Sequence, residues 1–140
     1  TKKNKSTKVF QALRILVNNE ISELILGLTK SCNLISKDGI IAAVTFHSIE
    51  DRICKFFFNE ISSQRKISRY LPINSTDQIS FNLIKKRPII PAIKEVEENP
   101  SSRSAKLRAV KRVSKNKLDT KFVFEKFKYL LEVEKMASKL

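Results

Sequence analysis

His47 and Ser48, followed at once by Glu50, Asp51 and Arg52, are the residues whose types and spacing could do chemistry. An imidazole beside a hydroxyl invites a nucleophile–base reading. Yet a Ser–His pair adjacent in sequence rarely meets with the geometry that hydrolysis needs, and no Gly-x-Ser-x-Gly elbow surrounds this one. His47 therefore reads as a structural or substrate-positioning residue. One histidine with carboxylates at a helix start gives no closed ligand set, so the sequence assigns no metal site. Cys32 and Cys54 stand apart from each other and from His47. They read as buried thiols in a reduced, cytoplasmic setting.

The elements that must position His47 and Ser48 are legible on both sides. Residues 40–46 form an apolar run after the turn signal Lys37-Asp38-Gly39. The run is short and does not alternate, which suggests a strand buried on both faces, as in a parallel sheet. Ser48 is expected as the N-cap of a helix, with Asp51 three residues on. Ile49, Ile53, Phe56, Phe57 and Ile61 continue at helical spacing. Open α/β sheets bind their ligands at the carboxyl ends of strands, where this junction lies.

The 140 residues suffice for one core. With 28 Lys+Arg against 14 Asp+Glu, the formal charge is +14. That excess favours a polyanionic partner, nucleic acid ahead of an anionic membrane. No run of 18 apolar residues suggests a membrane span, and the basic start leads into an amphipathic pattern rather than a signal peptide. The two glycines, Gly27 and Gly39, give no Gly-rich loop that would let a backbone approach a nucleotide or a sulfonium cofactor.

In chain order, residues 1–8 form a basic tail. Phe10, Leu13, Val17, Ile21, Leu24 and Leu28 recur at helical spacing, marking one long amphipathic helix with a weak middle at Asn18, Asn19 and Ser22. Residues 62–78 read as an irregular basic connection, with Arg65, Lys66, Arg69, Pro72 and Asn74. A second strand is expected over 79–85, then a short helix over 92–98 with Pro91 in its first turn. Residues 101–104 read as a polar loop and 105–113 as a third strand. After a linker at 114–118, Asp119 is expected to cap a final helix carrying Phe122, Phe127, Leu130, Leu131 and Met136. The order suggests the closing half of a doubly wound α/β sheet.

Three segments together resemble one family. They are Phe10-Gln11-Ala12-Leu13-Arg14-Ile15 with Val17-Asn18-Asn19-Glu20, then Phe46-His47-Ser48-Ile49-Glu50-Asp51-Arg52, then Asn99-Pro100-Ser101-Ser102-Arg103-Ser104-Ala105-Lys106-Leu107-Arg108. The chain resembles the C-terminal part of the RsmH (MraW) family, bacterial 16S ribosomal RNA cytosine-N4 methyltransferases. The resemblance implies the C-terminal half of a class I, Rossmann-like, S-adenosylmethionine-dependent sheet without its cofactor-binding strands. Residues 9–113 would be a partial methyltransferase domain, and 114–140 a linker and amphipathic helix. The runs at 40–46, 79–85 and 105–113 would be strands five, six and seven, the seventh antiparallel between the others. S-adenosylmethionine is the implied cofactor and 16S rRNA or the small subunit the implied partner. The missing part of the protein would supply the N-terminal half.

Two departures stand out. Asn4-Lys5-Ser6-Thr7-Lys8 replaces the family's usual His-Pro-Ala-Thr-Arg, and Ser101 replaces the first arginine of its Asn-Pro-Arg-x-Arg-Ser pattern. Both remove groups that could touch RNA or position the site. If the second strand runs parallel to the first, the loop after it and the return into the third lie on His47's edge. Phosphate contact from Arg103 or Lys106 then follows. The candidate site comprises His47 and Ser48 as active-site wall, with Arg14, Arg52, Asn99, Arg103, Ser104, Lys106 and Arg108 toward RNA. The alternatives are a small basic RNA-binding protein without catalytic activity, and one subunit of a two-chain methyltransferase.

Overall fold

The computed structural model describes residues 5–63, 79–116 and 118–137, so the basic connection expected over 62–78 lies almost wholly outside the described residues. The first expected helix is two, α1 (Lys5–Asn18) and α2 (Glu20–Leu34). Asn19 breaks them apart in the left-handed region at φ 52°, which asparagine tolerates better than most residues. The break also undoes the single apolar stripe. Phe10, Leu13 and Val17 on α1 are exposed, while Ile21, Ile25, Leu28 and Cys32 on α2 enter the core.

A turn at 36–39 leads into β1 (Ile40–Thr45). Glycine is required at its end by space: a Cβ on Gly39 would collide with the Ile35 side chain. The helix α3 (Ser48–Ser62) follows, then β2 (Phe81–Leu83), α4 (Ile93–Glu98), a 3₁₀ turn (Pro100–Ser104) and β3 (Lys106–Arg112). Pro91 falls just outside α4 rather than in its first turn, because Ala92 is the cap residue. The expected polar loop at 101–104 is the 3₁₀ turn, and the second strand is shorter than expected at both ends. The final helix is two pieces, α5 (Lys121–Lys126) and α6 (Lys128–Ala137), hinged at Phe127. Thr120 occupies the cap position of α5, and the Asp119 carboxylate accepts from the Lys121 amide at 3.0 Å.

The sheet order is β1-β3-β2, with β3 antiparallel to both neighbours, so β1 and β2 run parallel. Ile41 stands opposite Val110, Thr45 opposite Lys106, and Phe81 opposite Arg112. α3 packs against all three strands. The expectation that β1 is buried on both faces is corrected: Ile41 and Thr45 are buried, whereas Ile40, Ala42 and Val44 on the other face are exposed. Among the described residues, α3 is the helix laid against the buried face of this strand.

The core joins Ile53, Cys54, Phe57, Phe58 and Ile61 of α3 to the inner faces of α2 and the sheet, and to Val123 and Phe127. Phe122 and Phe127 meet Phe56 edge-on at 6.0 and 5.6 Å between centroids, so the C-terminal helices complete this aromatic cluster. Each buried phenylalanine contributes about 1.5–3 kcal/mol of transfer free energy. Cys32 and Cys54 are free and buried, and burial pushes both thiols up to about 12, which leaves them inert at neutral pH. Arg112 lies among them, 6% exposed. Its guanidinium donates to the carbonyls of Cys32, Ile35 (3.0 Å), Ser114 (2.7 Å) and Asn116 (3.0 Å) and stands over the Phe81 ring. It ties the carbonyl end of α2 to the exit of β3, a favourable place for a cation.

Candidate functional site

The strand–helix junction is built one residue earlier than the sequence suggests. His47, not Ser48, is the N-cap of α3: its backbone is still extended (φ −136°, ψ 165°), and its Nδ1 accepts from the Glu50 amide at 3.4 Å. Glu50 closes the reciprocal half, its Oε2 accepting from the amides of Phe46 (2.9 Å) and His47 (3.3 Å). The longer glutamate reaches back where Asp51 could not, which releases Asp51 for another task. Lys106 and Arg108 point from the same face of β3 toward the first turn of α3. Lys106 Nζ donates to Asp51 Oδ2 at 3.0 Å and Arg108 Nε to Oδ1 at 2.8 Å.

On the other side of His47 stands the α1–α2 joint. Arg14 on α1 grips Glu20 in two places, Nε to Oε1 at 2.7 Å and Nη2 to Oε2 at 3.1 Å. His47 Nε2 lies 3.6 Å from Glu20 Oε2 and 3.3 Å from Glu50 Oε1. Burial alone would raise the Glu20 carboxyl, but the bonds from Arg14 and Asn18 and the proximity of His47 hold it below the usual glutamate value. Glu20, His47 and Glu50 bring one potential metal-ligand atom each to within 4.8 Å of one another. The hydrogen bonding of the ring does not suit a metal ligand. Nδ1 already accepts from the Glu50 amide, and Nε2 faces the two carboxylates without a hydrogen bond of good geometry. A metal-bearing histidine normally has the opposite arrangement, with its second nitrogen donating.

His47 and Ser48 open onto a cleft of about 1000 Å³. Thr7, Lys8, Phe10, Gln11 and Arg14 of α1 form one wall, Phe46 to Ser48 the floor, and Ile90, Pro91, Val96 and Arg103 to Lys106 the other wall. Of the expected residues, Arg14, His47, Ser48, Arg103, Ser104 and Lys106 are thus brought together. Arg52, Asn99 and Arg108 are not in the lining. Arg52 is exposed on α3, Asn99 ends α4 with its carbonyl taken by the Ser102 amide (2.9 Å), and Arg108 is held inward by Asp51. The cleft adds Lys8, Phe10, Gln11 and Phe46. Phe10 is 70% exposed and Phe46 54%, high values for large apolar side chains. Helical periodicity assigned Phe10 to the core, so its exposure had no sequence signal beyond the motif that contains it.

All three motif segments, far apart in sequence, contribute residues to this one cleft. A profile of the MraW methylase family matches residues 1–113. The chain belongs to the MraW methylase family. Ribosomal RNA small subunit methyltransferase H of Oceanobacillus iheyensis is 43% identical over 119 residues, covering 84% of this chain and 36% of that protein. The same-named protein of Persephonella marina is 44% identical over 108 residues (77% and 32%), and that of Borreliella afzelii 46% over 110 (79% and 32%). The chain spans about a third of the length of these relatives. α5 and α6 lie beyond the part the MraW profile matches.

S-adenosylmethionine, the cofactor implied by the resemblance, does not fit the residues of the cleft. A donor site needs a backbone that approaches the nucleotide closely and an acceptor for ribose hydroxyls. The lining holds no glycine and no acidic side chain. Gly27 lies on α2 and Gly39 in the turn before β1. Among the described residues no helix is long and apolar enough to cross a membrane.

Proposed function

We propose that this chain is the RNA-facing C-terminal portion of an rRNA (cytosine-N4)-methyltransferase, and that its cleft receives a segment of small-subunit rRNA. The observation that carries this reading is the meeting of the three motif segments at one cleft with Lys8, Arg14, Arg103 and Lys106 on its walls. Cations on facing walls suit a phosphate backbone. The exposed rings of Phe10 and Phe46 offer apolar faces for a base drawn out of its stack. Arg103 and Lys106 are the proposed phosphate contacts, and Ser104 is a hydrogen-bond donor beside them. His47 and Ser48 form the wall. Nδ1 of His47 caps α3, and its Nε2 faces two carboxylates. Methyl transfer to an exocyclic amine needs the base unstacked and held in line with the donor. The cleft residues would do the holding, and the donor site would belong to the rest of the enzyme.

The second reading, a small basic RNA-binding protein without catalysis, is favoured by the poor fit of the cleft to a methyl donor. Two titrations separate them. S-adenosylmethionine is added to the chain alone, then to the chain with the N-terminal portion of a family relative. Donor binding and RNA methylation only in the mixture support the first reading, and RNA binding with no methylation in either supports the second. RNA affinity should fall steeply with salt. Arg103→Ala with Lys106→Ala should flatten the slope of log K against log salt by about one to two units, whereas Arg108→Ala should leave it unchanged. An unaltered slope in the double variant would remove both residues from the interface.

A further inference from the structure

The first turn of α2 is capped from a distant part of the chain. Asn19 occupies the cap position in the left-handed region and supplies no side-chain hydrogen bond to the first turn, whose amides need acceptors. The acceptor comes from the far end of the chain. Glu134 on α6 is 2% exposed, and its two oxygens accept from the amides of Ile21 (2.8 Å) and Ser22 (3.0 Å). Oriented amides and the positive end of a helix are what an ionised carboxylate needs in order to be buried. Immediately before those two amides comes Glu20, which grips Arg14 and faces His47 Nε2.

We propose that Glu134 is a positioning residue for the cleft. By fixing the first turn of α2 it sets Glu20, and through Glu20 it sets the Arg14 guanidinium and the His47 imidazole on the cleft walls. The C-terminal helices, outside the profile match, thereby become part of the machinery that shapes the site. The inference concerns the geometry of the wall and not the identity of what enters the cleft, so it stands or falls separately from the RNA reading.

The chain's single histidine makes the test clean. In the full chain, labelled with ¹⁵N, the ring nitrogens of His47, the Arg14 Nε and the amides of Ile21 and Ser22 are followed in the parent, in Glu20→Gln and in Glu134→Gln. Glutamine preserves the volume and one acceptor oxygen but removes the charge. Glu134→Gln should move the Ile21 and Ser22 amides. It should also displace the His47 ring and Arg14 signals in the same direction as Glu20→Gln, by a smaller amount. Glu134→Ala should displace them further; should that variant fail to fold, Glu134→Gln decides the matter. Amides that shift while His47 and Arg14 stay in place would overturn the proposal, reducing Glu134 to a helix cap. An unmoved His47 in Glu20→Gln would overturn it equally, by cutting the link through Glu20.

Discussion

Lys106 and Arg108 end on one carboxylate, Asp51, and this sets how the site answers to acid. Burial alone would raise the Asp51 carboxyl, but the bonds from Arg108 and Lys106 outweigh it and hold the group below its ordinary 3.8. A carboxyl depressed in the folded state contributes stability above its unfolded value and loses it as pH falls through the folded value. Asp51→Asn should therefore be less stable at neutral pH, and its stability should fall less steeply than the parent's below pH 3.8, in urea melts at a series of pH values. Arg112 invites a second residue-scale test. Removing it leaves the buried carbonyl of Cys32 and the part-buried bonds to Ile35, Ser114 and Asn116 without their donor. At about 1–3 kcal/mol for a buried group left unpaired, Arg112→Ala should cost about 1–3 kcal/mol in chemical denaturation. Arg112→Lys should recover little of it, because an ammonium lacks the planar fork that reaches several carbonyls at once.

Among the elements, the joint between α1 and α2 decides the shape of the cleft. It turns the exposed face of α1, with Phe10 and Arg14, toward the end of β1. The backbone at Asn19 holds that turn at φ 52°, a conformation that costs a β-branched residue about 1–2 kcal/mol and glycine almost nothing. Asn19→Gly should leave stability nearly unchanged, while Asn19→Val should lower it by about 1–2 kcal/mol in denaturant melts. An Asn19→Val chain as stable as the parent would mean that the joint relaxes into a continuous helix. The α3 cap works in the same local way. A backbone still extended at His47 brings Nδ1 over the Glu50 amide, and the two residues cap each other.

Across the whole molecule, one face of the sheet is sealed by α3 and the other presents Ile40, Val44 and Phe46 to solvent. β1 also stands at one end of the described sheet, with β3 as its only strand neighbour there. An exposed apolar strand with an open edge invites pairing between chains. The chain should sediment as dimers or larger species at micromolar concentration, and Val44→Lys should shift it toward monomer. A parent chain that sediments as a compact monomer with one sharp unfolding transition would show that this face is stable uncovered.

The sequence by itself determined the local grammar: a strand over 40–46 (found over 40–45), the turn at Asp38-Gly39, a helix opening at Ser48 (capped one residue earlier), and a basic chain whose three motifs carry the family. These follow from periodicity, turn chemistry and charge, which act over a few residues. It also anticipated β3 lying antiparallel between β1 and β2, through the family resemblance rather than through any pattern in the residues. Only the tertiary structure decided which polar groups are spent on the fold. Arg108 and Asp51 pair across 57 residues, and Glu134 caps α2 from 113 residues away. Phe10 and Phe46, apolar by type, are left exposed at the cleft. Periodicity reports that a residue is apolar and on which side it stands. What lies opposite that side is fixed by chain crossings that no window of sequence contains.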